Sequence, residues 1–336
     1  MTASAHPLRV KFIARVKLPD GNVGDNFERR FPNREPAWGE CRFIFDRGCR
    51  DYDWLVVYDD LPRDKPEEQL ACPRENTLLI TGEPSSITRY GPRYLRQFGH
   101  VLTSQEPEAL DHPGVIRRQA GLLWYYGGTG DRGSFDALAA AKPPPKPKPL
   151  STVCSAKAMN HTLHSRRLAF TRRVKEAVPE LDIFGYGMGE LRDKADALDP
   201  YRYHLAIENH SCQHHWTEKL ADAFLGHCLP LYFGCTNPED YFPPESFIRL
   251  DIRDADTAVE TVRQVFADNP YEQRLSAIIE SRHRVLHRYS TFAQLAGLLP
   301  GLHQPRAQTP PGTRIHGRRK FRKVHPFQAT LDWFSR

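Results

Sequence analysis

Residues 203–234 read YHLAIENHSCQHHWTEKLADAFLGHCLPLYFG. An apolar run comes first, a polar loop and a helix-forming segment from Thr217 follow, and a second apolar run ends at Gly234. Apolar strand, helix and apolar strand in succession are typical of a parallel βαβ unit. Similar units occur on both sides of a proline-rich stretch, KPPPKPKP. We therefore predict an α/β fold of two doubly wound domains that face a cleft.

The domain boundaries follow from the length of the chain and from the proline-rich stretch. A chain of 336 residues is long enough for two domains. Proline at this density favours an extended, semi-rigid spacer, and a PxxP ligand for a partner domain is the alternative. We predict an N-terminal domain over 1–141, a linker over 142–149, a C-terminal domain over 150–300 and a tail over 301–336.

Composition limits the class of protein. The chain is 40% hydrophobic and has a mean hydropathy of −0.59, and it contains no apolar run of ~18 residues that could span a membrane. The N-terminus lacks the apolar core of a secretory signal. Seven cysteines are scattered without a CxxC pair. These features predict reduced thiols and a cytoplasmic protein.

The positive charge is concentrated in the tail. The net charge is +6, and RIHGRRKFRK (314–323) contributes six basic residues and no acid, so the rest of the chain is neutral overall. A nucleic-acid partner is therefore not expected. Phe327, Leu331 and Phe334 follow on one helical face. The tail is predicted either to bind an anionic membrane surface, which would make the protein peripheral on the inner membrane face, or to pack on its own domain.

Two helices carry cations at the end where the helix dipole is positive. Thr217 is a predicted N-cap with Lys219 in the first turn, and Ser165 is a predicted N-cap followed by Arg166 and Arg167. Such cations cost ~0.3–1 kcal/mol each when unpaired. Either they are solvated at this small cost, or they hold an anion between the two helix starts.

Several carboxylates and possible metal ligands lie near predicted strand and helix ends. Glu83 follows the apolar strand-like run NTLLIT, at the edge where α/β domains bind ligands. It is either a general base or a solvated loop carboxylate. The His/Cys segment HSCQHH (210–215) lacks a second ligand cluster, and DAD (254–256) leads into a helix that Asp254 could cap. We therefore predict no metal site.

Residues 203–251 resemble the donor-binding segment of the α-1,3/1,4-fucosyltransferases, glycosyltransferase family ten. Two upstream stretches also resemble the family, TGE at 81–83 and CSAKAMNHTLHSRRLAF at 154–170, so the resemblance covers roughly residues 78–260. The matching residues are Glu208-Asn209, Thr217-Glu218-Lys219, Pro230, Tyr232, Gly234, Asn237, Asp240-Tyr241, Pro244 and Ser246-Phe247-Ile248.

The resemblance implies a GT-B fold of two Rossmann-like domains and an inverting, metal-independent transferase without a cofactor. The donor is expected to be GDP-fucose, and the acceptor a glycan or a lipid-linked oligosaccharide. By the resemblance, Glu83 is the catalytic base. The expected donor-binding residues are Arg167, Asn209, Trp216, Glu218 and Lys219. The alternatives are a transferase of the same fold that uses another nucleotide sugar, and a non-catalytic membrane- or nucleic-acid-binding protein.

Overall fold

The computed structural model describes residues 6–15, 27–128, 130–154, 163–305 and 312–334. They form two compact units, one within Met1–Gly121 and Thr291–Arg336, and the other within Leu122–Ser290. Each unit is built on its own parallel sheet with helices. The predicted α/β class is confirmed.

The first unit contains a seven-stranded sheet with the order β2-β3-β1-β4-β6-β7-β8. All neighbours pair in parallel except β2 and β3. The central strands read as unbroken apolar runs because both faces of the sheet are covered. The strands are β1 (Leu8–Ala14), β2 (Ala37–Trp38), β3 (Cys41–Ile44), β4 (Trp54–Tyr58), β6 (Thr77–Ile80), β7 (His100–Thr103) and β8 (Val115–Arg117).

The second unit contains a five-stranded parallel sheet with the order β10-β9-β11-β12-β13. Every residue of β12, LPLYF, is buried, as expected for a strand covered on both faces. The strands are β9 (Lys148–Val153), β10 (Leu181–Phe184), β11 (Tyr201–Ile207), β12 (Leu229–Phe233) and β13 (Ile248–Arg249).

Helices connect the strands and complete both units. In the first unit they are α1 (Pro92–Leu95), α7 (Thr291–Leu302), α8 (Arg318–Val324) and α9 (Pro326–Phe334). In the second unit they are α2 (Phe135–Ala140), α3 (His164–Ala177), α4 (Glu218–Leu225), α5 (Ala255–Asp268) and α6 (Tyr271–Arg284). Among the helices of the described ranges, none is long and apolar enough to cross a bilayer.

The proline-rich stretch lies within the second unit, whereas the sequence placed it between two domains. The units separate after Gly121, and β9 begins inside the stretch, at Lys148. Lys146 is buried, and its Nζ donates to the carbonyl oxygens of Leu198, Asp199 and Gly226 at 2.6–3.1 Å. The ammonium thus anchors this segment to its own unit. A high density of proline predicts a stiff backbone, but it does not predict which residues that segment contacts.

The chain returns to the first unit after Ser290, so the predicted boundary at 300 also differs from the structure. In the tail, β14 (Arg314–His316) pairs antiparallel with β5 (Glu67–Gln69), and Phe321 of α8 is buried against Tyr94. The tail therefore packs on the first unit and not on the predicted C-terminal domain that precedes it. Of the predicted apolar face, Phe327 is 75% exposed and Leu331 is partly buried. The Phe334 side chain lies outside the described residues.

Two buried histidines make stability depend on pH. Burial, with Lys194 and Lys146 nearby, lowers the pKa of His204 from its usual 6.5 to about 3. Burial, with Arg282 and Lys146, lowers the pKa of His227 to about 3. Between these values the unfolded chain binds more protons than the folded chain, so the free energy of unfolding falls as pH falls. Each histidine contributes up to ~1.4 kcal/mol per pH unit in this window.

We expect His204→Asn to reduce this pH dependence. The measurement is urea unfolding of the wild type and the variant at several values between about pH 4 and 7, the range set by the usual histidine pKa. Replacement of an exposed histidine, in His6→Asn, is the matched control and should keep the slope of the wild type. An equal slope in the wild type and His204→Asn would show that His204 does not couple folding to protonation.

Candidate active site

The second sheet has a topological switch point between β9 and β11. The chain passes from β9 to β10 on one side, and β11 then lies on the other side of β9. Ligands of open α/β sheets bind beyond the carboxyl ends of the strands at such a point. Glu208 directly follows β11, and the loop after it leads to α4. The segment from Glu208 to Lys219 therefore borders the expected site.

Glu208 organises the start of α4. Its carboxylate is fully buried and accepts hydrogen bonds from Thr217 N at 2.8 Å and from Thr217 Oγ1 at 2.7 Å. Thr217 Oγ1 in turn accepts from Lys219 N at 3.3 Å, which confirms the predicted N-cap. Gly234 allows the carboxylate side chain to pass, since a Cβ there would lie 2.2 Å from Glu208 Cγ. The lack of a side chain at this glycine, after β12, therefore leaves room for Glu208.

Lys219 is paired within the protein. Its Nζ lies 2.9 Å from Glu218 Oε1, 3.5 Å from Glu208 Oε2 and 3.3 Å from Thr217 Oγ1. The Glu208 side chain is 1% exposed, and those of Lys219 and Glu218 are 21% and 23% exposed. The sequence suggested that a bound anion, or solvent, balances Lys219. In the structure, two carboxylates already supply that balance.

The pKa shifts follow from this ion network. Burial raises the pKa of Glu208 while Lys219 opposes the shift. Burial also disfavours the charged form of Glu218, but Lys219 and Lys194 outweigh it and hold the pKa of that carboxyl below its usual range. Burial disfavours the charge of Lys219 as well, yet Glu218 and Glu208 raise its pKa. Glu218 and Lys219 therefore remain an ion pair at neutral pH.

Arg167 lies in the first turns of α3 and is only 6% exposed. The predicted N-cap Ser165 is wrong, because α3 begins at His164 and Leu163 occupies the cap position without a side-chain hydrogen bond. Ser165 and Arg166 are exposed. Arg167 is close enough to Lys219 to oppose the rise of the Lys219 pKa. The structure therefore brings together the two predicted helix-start cations, Arg167 and Lys219.

Three buried polar atoms near the starts of α3 and α4 have no hydrogen-bond partner among the described residues. They are Arg167 Nε, Asn209 Oδ1 and Trp216 Nε1. Leaving such an atom unpaired costs about 1–3 kcal/mol, so most native groups of this kind have a partner. The backbone carbonyl of Asn209 accepts a hydrogen bond from Leu163 N at 3.4 Å, which places Asn209 beside the start of α3. Unpaired donors and an unpaired acceptor at a switch point indicate a ligand site.

Trp216, a predicted donor-binding residue, is mainly a core residue. It is 1% exposed and contacts the rings of Tyr241, Phe242 and Tyr289 at centroid distances of 4.9–5.5 Å. The one polar atom of its side chain, Nε1, has no hydrogen-bond partner among the described residues. Its size and apolar ring therefore stabilise the loop that leads to α4.

The loop 210–215 is held by two residues from the following segment. Asn237 Oδ1 accepts from His214 N at 2.7 Å, and His214 Nδ1 lies 2.8 Å from Tyr241 Oη. His214 has a φ of 64°, which is uncommon for a residue other than glycine. The resemblance includes Asn237 and Tyr241 but implies no role for them. In the structure both residues stabilise this loop through His214, which therefore has a structural role.

A second buried ion pair was missed by the sequence analysis. Asp222 of α4 is fully buried, pairs with Lys194 Nζ at 2.7 Å and accepts from Tyr125 N at 3.2 Å. Burial raises the pKa of Asp222, although the positive charge of Lys194 opposes this shift. Lys194 also lowers the pKa of Glu218 and so links the pair to the first ion network. No sequence signal marks Lys194, because it is distant along the chain from α4.

The predicted base, Glu83, belongs to the first unit. It follows the carboxyl end of β6 and is exposed, and its backbone carbonyl accepts from Gln105 Nε2 at 2.8 Å. A Cβ on Gly82 would lie 3.3 Å from Tyr58 Cε1, so the chain passes close to this ring just before Glu83. The predicted position at a strand end is confirmed.

Asp254 is explained by its helix. Its carboxylate accepts from Thr257 N at 3.2 Å and from Thr257 Oγ1 at 2.7 Å at the start of α5. The capping interpretation of DAD is confirmed.

The model of the glycosyltransferase family 10 (fucosyltransferase) C-terminal domain matches residues 144–272. This segment of the chain is therefore similar to the C-terminal domain of glycosyltransferase family 10. The family-10 segment contains α3, α4 and the five strands of the second sheet. It therefore includes Arg167 and the ion network around Lys219.

Two curated relatives are fucosyltransferases. Alpha-(1,3)-fucosyltransferase FucT of Helicobacter pylori is 28% identical over 95 residues, which are 26% of this chain and 20% of the relative. Alpha-(1,4)-fucosyltransferase of Arabidopsis thaliana is 42% identical over 52 residues, which are 16% of this chain and 13% of the relative. The matched segments thus span a fifth or less of these relatives.

Two crystal structures of α1,3-fucosyltransferase are similar over nearly the whole chain. One, determined with GDP-fucose, has a TM-score of 0.53 at 15% identity, and the other has 0.54 at 16%. Each comparison covers 92% of this chain and 94% of the other. At this identity the similarity shows the fold alone, and it confirms the predicted GT-B fold class.

Proposed function

We propose that this chain is an inverting fucosyltransferase that moves L-fucose from GDP-fucose to a hydroxyl of a glycan or a lipid-linked oligosaccharide. The observation that carries the proposal is the cluster of Arg167, Asn209 and the Glu208–Glu218–Lys219 network at the switch point of the family-10 segment. The names of the relatives supply the donor and the reaction type.

The diphosphate of GDP is the ligand that suits Arg167. A guanidinium forms strong, bidentate hydrogen bonds with phosphate oxygens, and the Nε atom of Arg167 has no partner among the described residues. The backbone N–H groups at the starts of α3 and α4 favour an anion in the same place. Lys219 contributes less positive charge, since two carboxylates share it. The proposed roles of Glu218 and Asn209 are hydrogen bonds to hydroxyl groups of the donor.

The proposed reaction is a direct displacement. Glu83 removes the proton from the acceptor hydroxyl as the oxygen forms a bond to the anomeric carbon, and the bond from that carbon to the β-phosphate oxygen breaks. Inversion follows because the attack occurs on the face opposite the leaving group, as in inverting glycosidases. Negative charge develops on the departing β-phosphate, and Arg167 with Lys219 stabilises it. No metal or cofactor takes part in this proposal.

Arg167→Ala is expected to weaken GDP binding. The loss of a hydrogen bond to a charged group is worth about 1.5–3 kcal/mol, which corresponds to roughly 10- to 150-fold in the dissociation constant. Lys219→Ala should have a smaller effect because Lys219 is already paired. Isothermal titration calorimetry with GDP measures both, and titration with UDP in place of GDP tests the choice of nucleotide.

The control for this prediction lies on the same helix. Arg172 is exposed, whereas Arg167 is buried. Arg172→Ala removes the same charge and should leave the affinity for GDP unchanged. Equal affinities of the wild type, Arg167→Ala and Lys219→Ala would refute the diphosphate assignment. Preferential binding of UDP would refute the proposed donor and favour another nucleotide sugar.

A further inference from the structure

The first unit has its own switch point, and a basic pocket lies there. β3 pairs on one side of β1 and β4 on the other, so the chain changes direction across the sheet between β1 and β4. Arg15 directly follows β1, and Asp60 comes two residues after β4. Both line a pocket of about 670 Å³. This volume is within the range of small-molecule sites.

The pocket is strongly positive. Seven basic side chains and one carboxylate, that of Asp60, line it. Three of the cations have carboxylate partners: Arg318 pairs with Asp59 and Asp60 at 3.4 and 3.2 Å, Lys320 with Glu67 at 3.6 Å, and Arg15 with Asp60 at 3.7 Å.

The other four cations carry uncompensated charge. In the part of the chain that the structure describes, no carboxylate pairs with them, and all four are exposed. They are Arg63, Arg319, Arg322 and Lys323. Like charges on neighbouring side chains repel one another, and a bound anion would relieve this repulsion. Such a concentration of charge next to a pocket favours a ligand with several negative charges.

The pocket is built from fixed parts of the first unit. Arg318 stacks over the ring of Tyr90 at 5.1 Å and is held by Asp59 and Asp60. Asp332 of α9 is buried and accepts from Arg93 N at 3.0 Å and Tyr94 N at 3.2 Å, which ties the end of the tail to α1. The tail therefore presents its cations from an anchored backbone, and less conformational freedom is lost on binding.

We propose that this pocket, formed by Arg15 after β1, the loop after β4 and α8, binds a phosphate or diphosphate group. The three uncompensated guanidinium groups, those of Arg63, Arg319 and Arg322, match phosphate oxygens better than carboxylates, because each can bind two oxygens of a multivalent anion. The group can belong to a soluble sugar phosphate or to a lipid headgroup. The site is separate from Arg167 and Lys219, which belong to the second unit.

The test is the binding of inorganic pyrophosphate, measured by calorimetry with GDP present to occupy the proposed donor site. Arg319→Glu/Arg322→Glu should weaken binding about tenfold or more, since two charge-assisted contacts are replaced by repulsion. Arg42→Glu/Arg96→Glu changes the net charge equally on exposed residues that do not line this pocket, and it should bind pyrophosphate like the wild type.

Several outcomes would overturn the proposal. These are no binding by the wild type, or equal weakening in the pocket and control variants, which would indicate only the overall charge. Arg167→Ala is a second control, because a loss of pyrophosphate binding there and not in the pocket variant would place the anion in the second unit. A failure of GDP to bind leaves this test intact, since the variants alone locate the pyrophosphate.

The source of the phosphate is distinguished by two further probes. Glucose 1-phosphate represents a soluble ligand, and vesicles of phosphatidylcholine with and without phosphatidylglycerol represent a lipid headgroup. Sedimentation with the anionic vesicles that is lost in Arg319→Glu/Arg322→Glu supports a headgroup. Binding of glucose 1-phosphate without sedimentation supports a soluble ligand. If neither probe distinguishes the pocket variant from the Arg42→Glu/Arg96→Glu control, the proposal is wrong.

Discussion

Glu83→Gln is expected to remove most of the proposed transferase activity while the affinity for GDP, the proposed product, stays the same. Glutamine has nearly the same size as glutamate but cannot accept the proton of an acceptor hydroxyl. General-base catalysis typically contributes about 10²- to 10⁴-fold, and we expect turnover to fall within that range. The proposed GDP site lies in the second unit, whereas Glu83 lies in the first, so the substitution should not change GDP binding. Release of GDP from GDP-fucose in the presence of acceptor measures turnover.

The matched control for Glu83 is a carboxylate at the other end of the same strand. Glu75 precedes β6, is exposed and pairs only at the surface, with Arg74 at 3.5 Å. Glu75→Gln should keep full activity. A fully active Glu83→Gln enzyme would exclude Glu83 as the base. Loss of GDP binding together with activity would instead point to damage of the fold.

Glu208→Ala is expected to be the most destabilising single change at the site. It would leave Thr217 N and Oγ1 without their acceptor and would remove one of the two carboxylates beside Lys219. Breaking a buried ion pair by removing one partner costs about 3–5 kcal/mol. Urea denaturation followed by circular dichroism measures the loss of unfolding free energy.

An exposed glutamate provides the comparison. Glu260 pairs with Arg263 at 3.6 Å, and the two side chains are 70% and 55% exposed. Glu260→Ala should change the free energy of unfolding by less than ~1 kcal/mol, since surface pairs are weak. If both variants lost the same small amount of unfolding free energy, the network around Glu208 would not stabilise the fold. Glu208→Gln, which retains an acceptor for Thr217, should fall between them.

Local features of the chain could be predicted well from the sequence. The apolar runs of β4, β6, β11 and β12, the cap at Thr217 and the cap at Asp254 all depend on neighbouring residues only. The rule for ligand sites in α/β sheets then placed Glu208–Lys219 correctly at a strand end. The cap at Ser165 was wrong, since a helix boundary can move by one or two residues without changing the pattern.

The amino-acid sequence was sufficient to predict the class of the fold, because alternating apolar strands and amphipathic helices can bury their apolar faces only in layered α/β units. The partners of the charged residues could be identified only in the folded chain. Lys219 is held by the buried Glu208 as well as by Glu218, Lys146 of the proline-rich stretch binds three carbonyl groups, and the basic tail folds back onto the first unit. Each of these depends on groups far apart along the chain, and their electrostatic energy is set by distance and burial, which appear only when the chain is folded.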